Sequence, residues 1–346
     1  MVWVRNGVKV MALFRVRVIE YFSQYRVPGP GTPLPDCVIN DRQLTIGMVR
    51  SILTHNPDRA AWRFMAAIVR PTLIFILDWN RPPDLSLNPV FQNVVRDFST
   101  TARVGELAQA ICYSYWQWWT GYRFVADFAS LAIGIGLPVP AGARIPDYIM
   151  FDPAAGTVAL MEAKGTQGRN HASQMAAALR QIRAARAYAP VHRGMACVLA
   201  LDQPAGAAAL HLRDPEDSRE VSDSIKHDIF RSSYAAWFDL AGMEEIAHWC
   251  RTPLARAERM SQQVFSRLTD RKFHAEDPLQ KVVAEALGFD PNRVAFHLTP
   301  SITEALRSSA AFEDIKHEVP EFSSAENSMK AGSEILFPDG TAILPE

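Results

Sequence analysis

Asp147, Glu162 and Lys164 are the residues whose types and spacing can do chemistry. Two carboxylates fifteen positions apart, with a lysine two positions after the second, can hold a hard divalent cation and set an ammonium beside it. Such a cation polarises a phosphoryl oxygen, neutralises charge that builds up in the transition state, and lowers the pKa of a bound water. The lysine orients that water or stabilises the pentacovalent phosphate. The set fits metal-dependent phosphodiester hydrolysis and needs no covalent enzyme intermediate.

The element that must position these groups reads as a β-hairpin. Apolar and β-branched runs flank the turn-rich segment Pro153-Ala154-Ala155-Gly156. With Asp152 facing Thr157, stepping back along both strands pairs Phe151 with Val158, Ile149 with Leu160, and Asp147 with Glu162. Side chains alternate faces, so Asp147 and Glu162 share a face and Lys164 lies diagonal to Asp147. Opposed acids would have Cβ atoms about 4.5 to 5.5 Å apart and would repel. Protonation of one acid relieves the repulsion, and so does a cation ligated by both. Magnesium suits the second solution, with manganese as a substitute, because it accepts two protein carboxylates and completes its shell with water and substrate phosphate.

Pro146-Asp147, the fifteen-residue gap and then Glu162-Ala163-Lys164 resemble the PD-(D/E)XK nuclease superfamily. That resemblance implies an α/β fold with a restriction endonuclease-like αβββαβ core, its mixed central sheet flanked by helices. Each core element has a candidate: a helix over about 98–119, a strand over 122–128, the hairpin, a helix over about 171–188, and a buried strand over 195–201. In this family the first helix commonly carries a glutamate, which makes Glu106 a candidate third carboxylate and metal ligand. The helix after the motif often supplies a glutamine or lysine. Gln174 and Gln181 share one face there, and Gln174, nearer the helix start, is the chosen candidate. The resemblance covers residues from the mid-nineties to about 202 and implies a magnesium-dependent DNA nuclease, an endonuclease rather than an exonuclease. The alternative is a nuclease-like fold without catalysis, serving as a nucleic-acid-binding or assembly module.

The dipeptide alone is a weak signal, since Pro-Asp occurs five times in the chain. Glu162-Ala163-Lys164 is the only Glu-x-Lys, and it ends the apolar run Val158 to Met161, where charged residues need an explanation. A structural salt bridge is the plainer one. Asp270-Arg271-Lys272 has the Asp form of the motif but no hydrophobic strand leading into it.

From Ala163 to Leu201 there is no Asp or Glu, so Arg169, Arg180, Arg183 and Arg186 form a candidate phosphate-binding patch. Arg180, Arg183 and Arg186 should line one side of the helix, with Met175, Leu179 and Ile182 packed inward. Tyr113, Tyr115, Trp116, Trp118 and Trp119 read as core or interface aromatics rather than base-stacking platforms.

The 346 residues are 48% hydrophobic and 21% charged with net charge −1, a globular composition with room for two or three packed units. Cys37, Cys112, Cys197 and Cys250 form no C-x-x-C pair and read as buried thiols in a reducing, cytoplasmic setting. The histidines show no zinc spacing, and no phosphate-binding P-loop is present. The apolar run 72–77 is too short to span a bilayer, and Arg15 and Arg17 interrupt any signal-peptide core. We expect a hairpin around Asn6-Gly7, an irregular connection over 27–35, and an α+β region up to 95 of unknown role. The nuclease core then occupies 96–205. A mostly helical region over 206–346, with helices over 214–251 and 253–271, ends in a hairpin over 335–344. DNA is the expected partner, with a homodimer or a regulatory protein as further possibilities and no membrane.

Overall fold

The computed structural model describes residues 3–5, 8–10, 13–21, 31–51, 68–69, 71–79, 83–94, 97–168, 171–201, 208–214, 219–240, 243–253, 273–274, 294–318, 335–336 and 342–345. It is an α/β structure built on a mixed seven-stranded sheet. Strands β1 (Trp3–Arg5) and β2 (Val8–Val10) pair with each other. The sheet consists of β3 (Leu13–Tyr21), β4 (Thr32–Asn40), β5 (Phe124–Asp127), β6 (Tyr148–Asp152), β7 (Thr157–Gln167), β8 (Arg193–Leu201) and β9 (Ala209–Arg213), in the order β4-β3-β9-β8-β7-β6-β5, and helix α1 (Asp41–Ser51) follows β4. The hairpin β6–β7 has the expected register, with Asp152 opposite Thr157, Phe151 opposite Val158 and Ile149 opposite Leu160. The pair β7–β8 is parallel and needs a crossover, which the helix α4 (His171–Ala185) supplies.

Helices cover both faces at the centre. On one face α4 lays Met175, Ala178 and Leu179 onto Ala196 and Val198 of β8. Cys197, between them, points to the opposite face, where α2 (Asp97–Trp119) sends the Trp116 indole N–H to its Sγ at 3.2 Å. Double coverage explains why β8 is apolar and buried from Gly194 to Leu201. Tyr113, Tyr115, Trp116 and Trp118 are buried, in keeping with the packing role read from the sequence. All four cysteines are buried thiols.

Two expectations change. The strand expected over 122–128 stops at Asp127, and a helix α3 (Phe128–Ile135) follows, inserted before the hairpin. Asp127 caps it by accepting from the Ser130 N–H at 2.6 Å, and Gly136 closes it in the left-handed conformation. The proline-rich stretch read as an irregular connection is part of β4 from Thr32 onward. It sits at the sheet edge, where Pro33 needs no donor on its outer side and a register shift between Val16 and Val18 absorbs Pro35.

β3 and β4 from the amino-terminal side and β9 from the carboxy-terminal side belong to the same sheet as the hairpin, and one buried core runs from Phe14 to Ile315. The boundary at 205 falls between β8 and β9, which are hydrogen-bonded neighbours.

At the ends, Trp3–Arg5 pairs with Val8–Val10, and Ile335–Leu336 pairs with Ala342–Pro345, as the two hairpin signals require. The helix expected over 214–251 divides into α5 (Asp223–Leu240) and α6 (Glu244–Arg251), and residues 254–271 of the next lie outside the described residues. Among the described residues, no helix is long and apolar enough to cross a membrane.

Candidate active site

The backbone ladder of the hairpin ends at Tyr148 opposite Met161, and one step further the side chains of Asp147 and Glu162 take over. The Asp147 N–H donates to Glu162 Oε2 at 3.2 Å, and the Ala163 N–H donates to Asp147 Oδ2 at 2.8 Å. The two acids are therefore opposite each other as expected, each holding the other's strand. Glu162 is fully buried. Lys164 donates to Glu162 Oε1, and its side chain is 30% exposed, so the site reaches solvent through the lysine.

Both flanking helices contribute an amide. Gln181 of α4 donates to Glu162 Oε2 at 2.8 Å and also to the carbonyl of Ile145, tying down the segment that leads into Asp147. Gln109 of α2 donates to Asp147 Oδ1 at 3.1 Å. Gly165 lets α2 come this close, because a Cβ there would run into the carbonyl oxygen of Val104. The Asp147 carbonyl accepts from the Phe128 N–H at 3.2 Å, so α3 steadies the same corner.

The electrostatics follow from burial. Glu162 is pushed up to about 8, first by burial and then by the Asp147 charge, with Lys164 pulling the other way. Burial also raises Asp147, against the Ala163 N–H, Lys164 and Gln109, while Asp127 adds a smaller upward push. Behind the pair, burial drives the Cys112 thiol well up, so this wall stays uncharged.

The other expected site residues divide. Glu106 turns to Arg103, its neighbour on α2, at 2.7 Å. Among the described residues no group of three or more His, Cys, Asp or Glu side chains could hold a metal ion, so Glu106 does not complete a three-carboxylate centre. Of the two glutamines on α4, Gln181 and not Gln174 makes the contact to Glu162, because α4 runs back past the hairpin and its later turns lie level with it. Arg180 and Arg183 are exposed on α4. Arg186 leaves the proposed ridge: α4 has ended at Ala185, and the side chain turns inward to donate to the His192 carbonyl at 3.2 Å. Arg169 lies outside the described residues.

Gln109 was missed in the sequence. Its signal is an uncharged polar residue within the buried run Leu107 to Tyr115, one helical turn after Glu106.

On the other flank of α4 lies a second ionisable pair, the half-buried His171 and the buried His211. His211 of β9 stacks on His171 at 4.3 Å between centroids and 5° between planes, and its Nδ1 is hydrogen-bonded to the Tyr21 hydroxyl at 2.8 Å. Burial lowers its pKa to about 4, helped by His171 and Arg17.

Comparison of the chain with protein-family models, curated proteins and solved structures finds no match. The site is therefore interpreted from its own geometry.

Proposed function

We propose that this chain is a metal-dependent nuclease that hydrolyses DNA phosphodiester bonds at Asp147, Glu162 and Lys164, with magnesium as the cation. The observation that carries the reading is the fully buried Glu162 carboxylate opposite Asp147, with Lys164 reaching it from solvent. A buried like-charged pair is costly unless it is protonated or neutralised, and two converging carboxylates beside an open face suit magnesium. The order helix, strand, hairpin, helix, strand over 97–201 supports a restriction endonuclease-like core, with α3 as an insertion. Arg180 and Arg183, on the helix that also carries Gln181, can hold backbone phosphates without reading sequence.

Asp147 and Glu162 would hold the cation, which when bound supplies electrophilic activation of the phosphate and of water. Lys164 orients the attacking water from the solvent side and lends positive charge to the phosphoryl oxygens as they become more negative. The water oxygen bonds to phosphorus as the bond to the leaving oxygen breaks, and the released proton ends on that leaving oxygen. Gln181 and the Ala163 N–H keep the carboxylates from turning away.

The test is incubation of the purified chain with supercoiled and linear DNA, with and without magnesium. Cleavage should need the metal and be lost in folded Asp147→Ala and Lys164→Ala. Undiminished cleavage by both variants would sink the site assignment. Metal-independent DNA retention without cleavage by the unaltered chain would favour the binding module instead.

A further inference from the structure

We propose that Gln109 is the residue through which α2 positions Asp147, and that the two-carboxylate site so built takes one divalent cation rather than two. This rests on the nuclease reading of the same site.

Helix α2 approaches β7 closely at Gly165, so a side chain from its third or fourth turn can reach the carboxylates. Glu106 could have been that side chain, but it is paired with Arg103 at 2.7 Å. Gln109, one turn on, reaches Asp147 Oδ1 at 3.1 Å while the Ala163 N–H holds Oδ2 at 2.8 Å. One amide on each oxygen fixes the plane of the carboxylate. An amide at this point also adds no negative charge, which a glutamate would.

Lone-pair accounting then limits the cations. An ionised carboxylate offers about four acceptor directions. Glu162 Oε2 already accepts from the Asp147 N–H and from Gln181, and Oε1 accepts from Lys164. What stays open is one direction on Glu162 Oε1 and one on each oxygen of Asp147. Two-metal sites hold their ions about 3.5 to 4 Å apart and need ligands on both outer sides. Among the described residues no third acidic, histidine or cysteine side chain joins the pair to supply them. The open directions suffice for one ion that completes its shell with water and phosphate.

The test is a titration of the full chain with Mn2+, followed by the electron paramagnetic resonance signal of the free ion. The unaltered chain should bind one Mn2+. Gln109→Met, close in volume but without the donor, should weaken binding about tenfold at the same stoichiometry, as loss of an outer-shell partner does. In cleavage assays the same variant should raise the Mn2+ concentration for half-maximal rate while leaving the rate at saturation near the original. Glu106→Gln should leave Mn2+ affinity unchanged. If Gln109→Met folds poorly, Gln109→Asn withdraws the same amide by one methylene and should weaken binding in the same direction.

Two bound Mn2+ per chain, unchanged affinity in the folded Gln109 variants, or weakening in Glu106→Gln would overturn the inference and leave the nuclease reading standing. No Mn2+ bound by the unaltered chain would overturn both.

Discussion

Helix α4 has an ionisable pair on each flank, and the two pairs are handled in opposite ways. On the β6–β7 side, Asp147 and Glu162 are surrounded by donors: two backbone N–H groups, Gln109, Gln181 and Lys164. On the β9 side, His171 and His211 stack face to face, and His211 has the Tyr21 hydroxyl as its hydrogen-bond partner. Burial pushes the acids upward and His211 downward, in each case toward the neutral form. For His211 no neighbouring charge opposes that push, so its ring stays uncharged at neutral pH. For the acids Lys164 and the amides pull back, which holds Glu162 where a cation can replace a proton. On the proposed reading, what sets the acids apart is not burial alone but burial opposed by donors that favour the charged form.

The largest effect is expected at the acids. Glu162→Gln should lower cleavage by on the order of a thousandfold, the scale seen when a group that stabilises transition-state charge is removed. In chelator at pH 8 or above, the same variant should be at least as stable as the original, since no charge has to be buried. Parallel cleavage and urea-unfolding measurements check both, and a variant that loses activity only by unfolding would break the contrast.

The pH dependence of stability separates the pairs by sign. Glu162 has its folded pKa raised, so in chelator its contribution is greatest at low pH and is lost as pH rises from the unfolded value of about 4.5 through about 8. His211 has its folded pKa lowered, so its contribution is fully present above about 6.5 and is lost as pH falls toward about 4, by roughly 3 kcal/mol at most. The stability cost of His211→Gln should therefore shrink between pH 7 and pH 4.5. A cost independent of pH would mean that the ring is not held neutral.

Smaller effects sharpen the same division. Tyr21→Phe should cost about 1 kcal/mol and leave cleavage unchanged, because it touches only the histidine side. Arg180→Ala and Arg183→Ala should each reduce the salt dependence of DNA binding by about one unit of slope with a few-fold loss of affinity. Arg186→Ala should instead destabilise the fold, which thermal unfolding would register without a change in salt slope.

The hairpin was legible in the sequence because its information is local: a turn-rich segment, alternating strands and a side-chain period of two leave one register that opposes the acids. The inward faces of α4 were legible for the same reason, through the period of a helix. Residues whose roles depend on one helical turn were harder. Glu106 and Gln109 differ by a single turn, and the competing Arg103 decides between them. Arg186 follows the pattern of Arg180 and Arg183 until the helix ends one residue before it. The pairing of β3 with β9 was not legible, because it joins segments far apart in the chain and no periodicity signals such a partner.

That same pairing bears on how the chain is made. β9 fills the gap between β8 and β3, so the amino-terminal hairpin β3–β4 must wait roughly 190 residues of synthesis for the strand that joins it to the rest. Until then the free edges of β8 and β3 are templates for the wrong neighbour. A growing chain that has reached residue 201 already carries Gln109, Asp147, Glu162, Lys164 and Gln181, yet its sheet is still in two pieces. Chains truncated after β8 should therefore precipitate rather than fold, and a chaperone that shields strand edges should raise the yield of the whole chain.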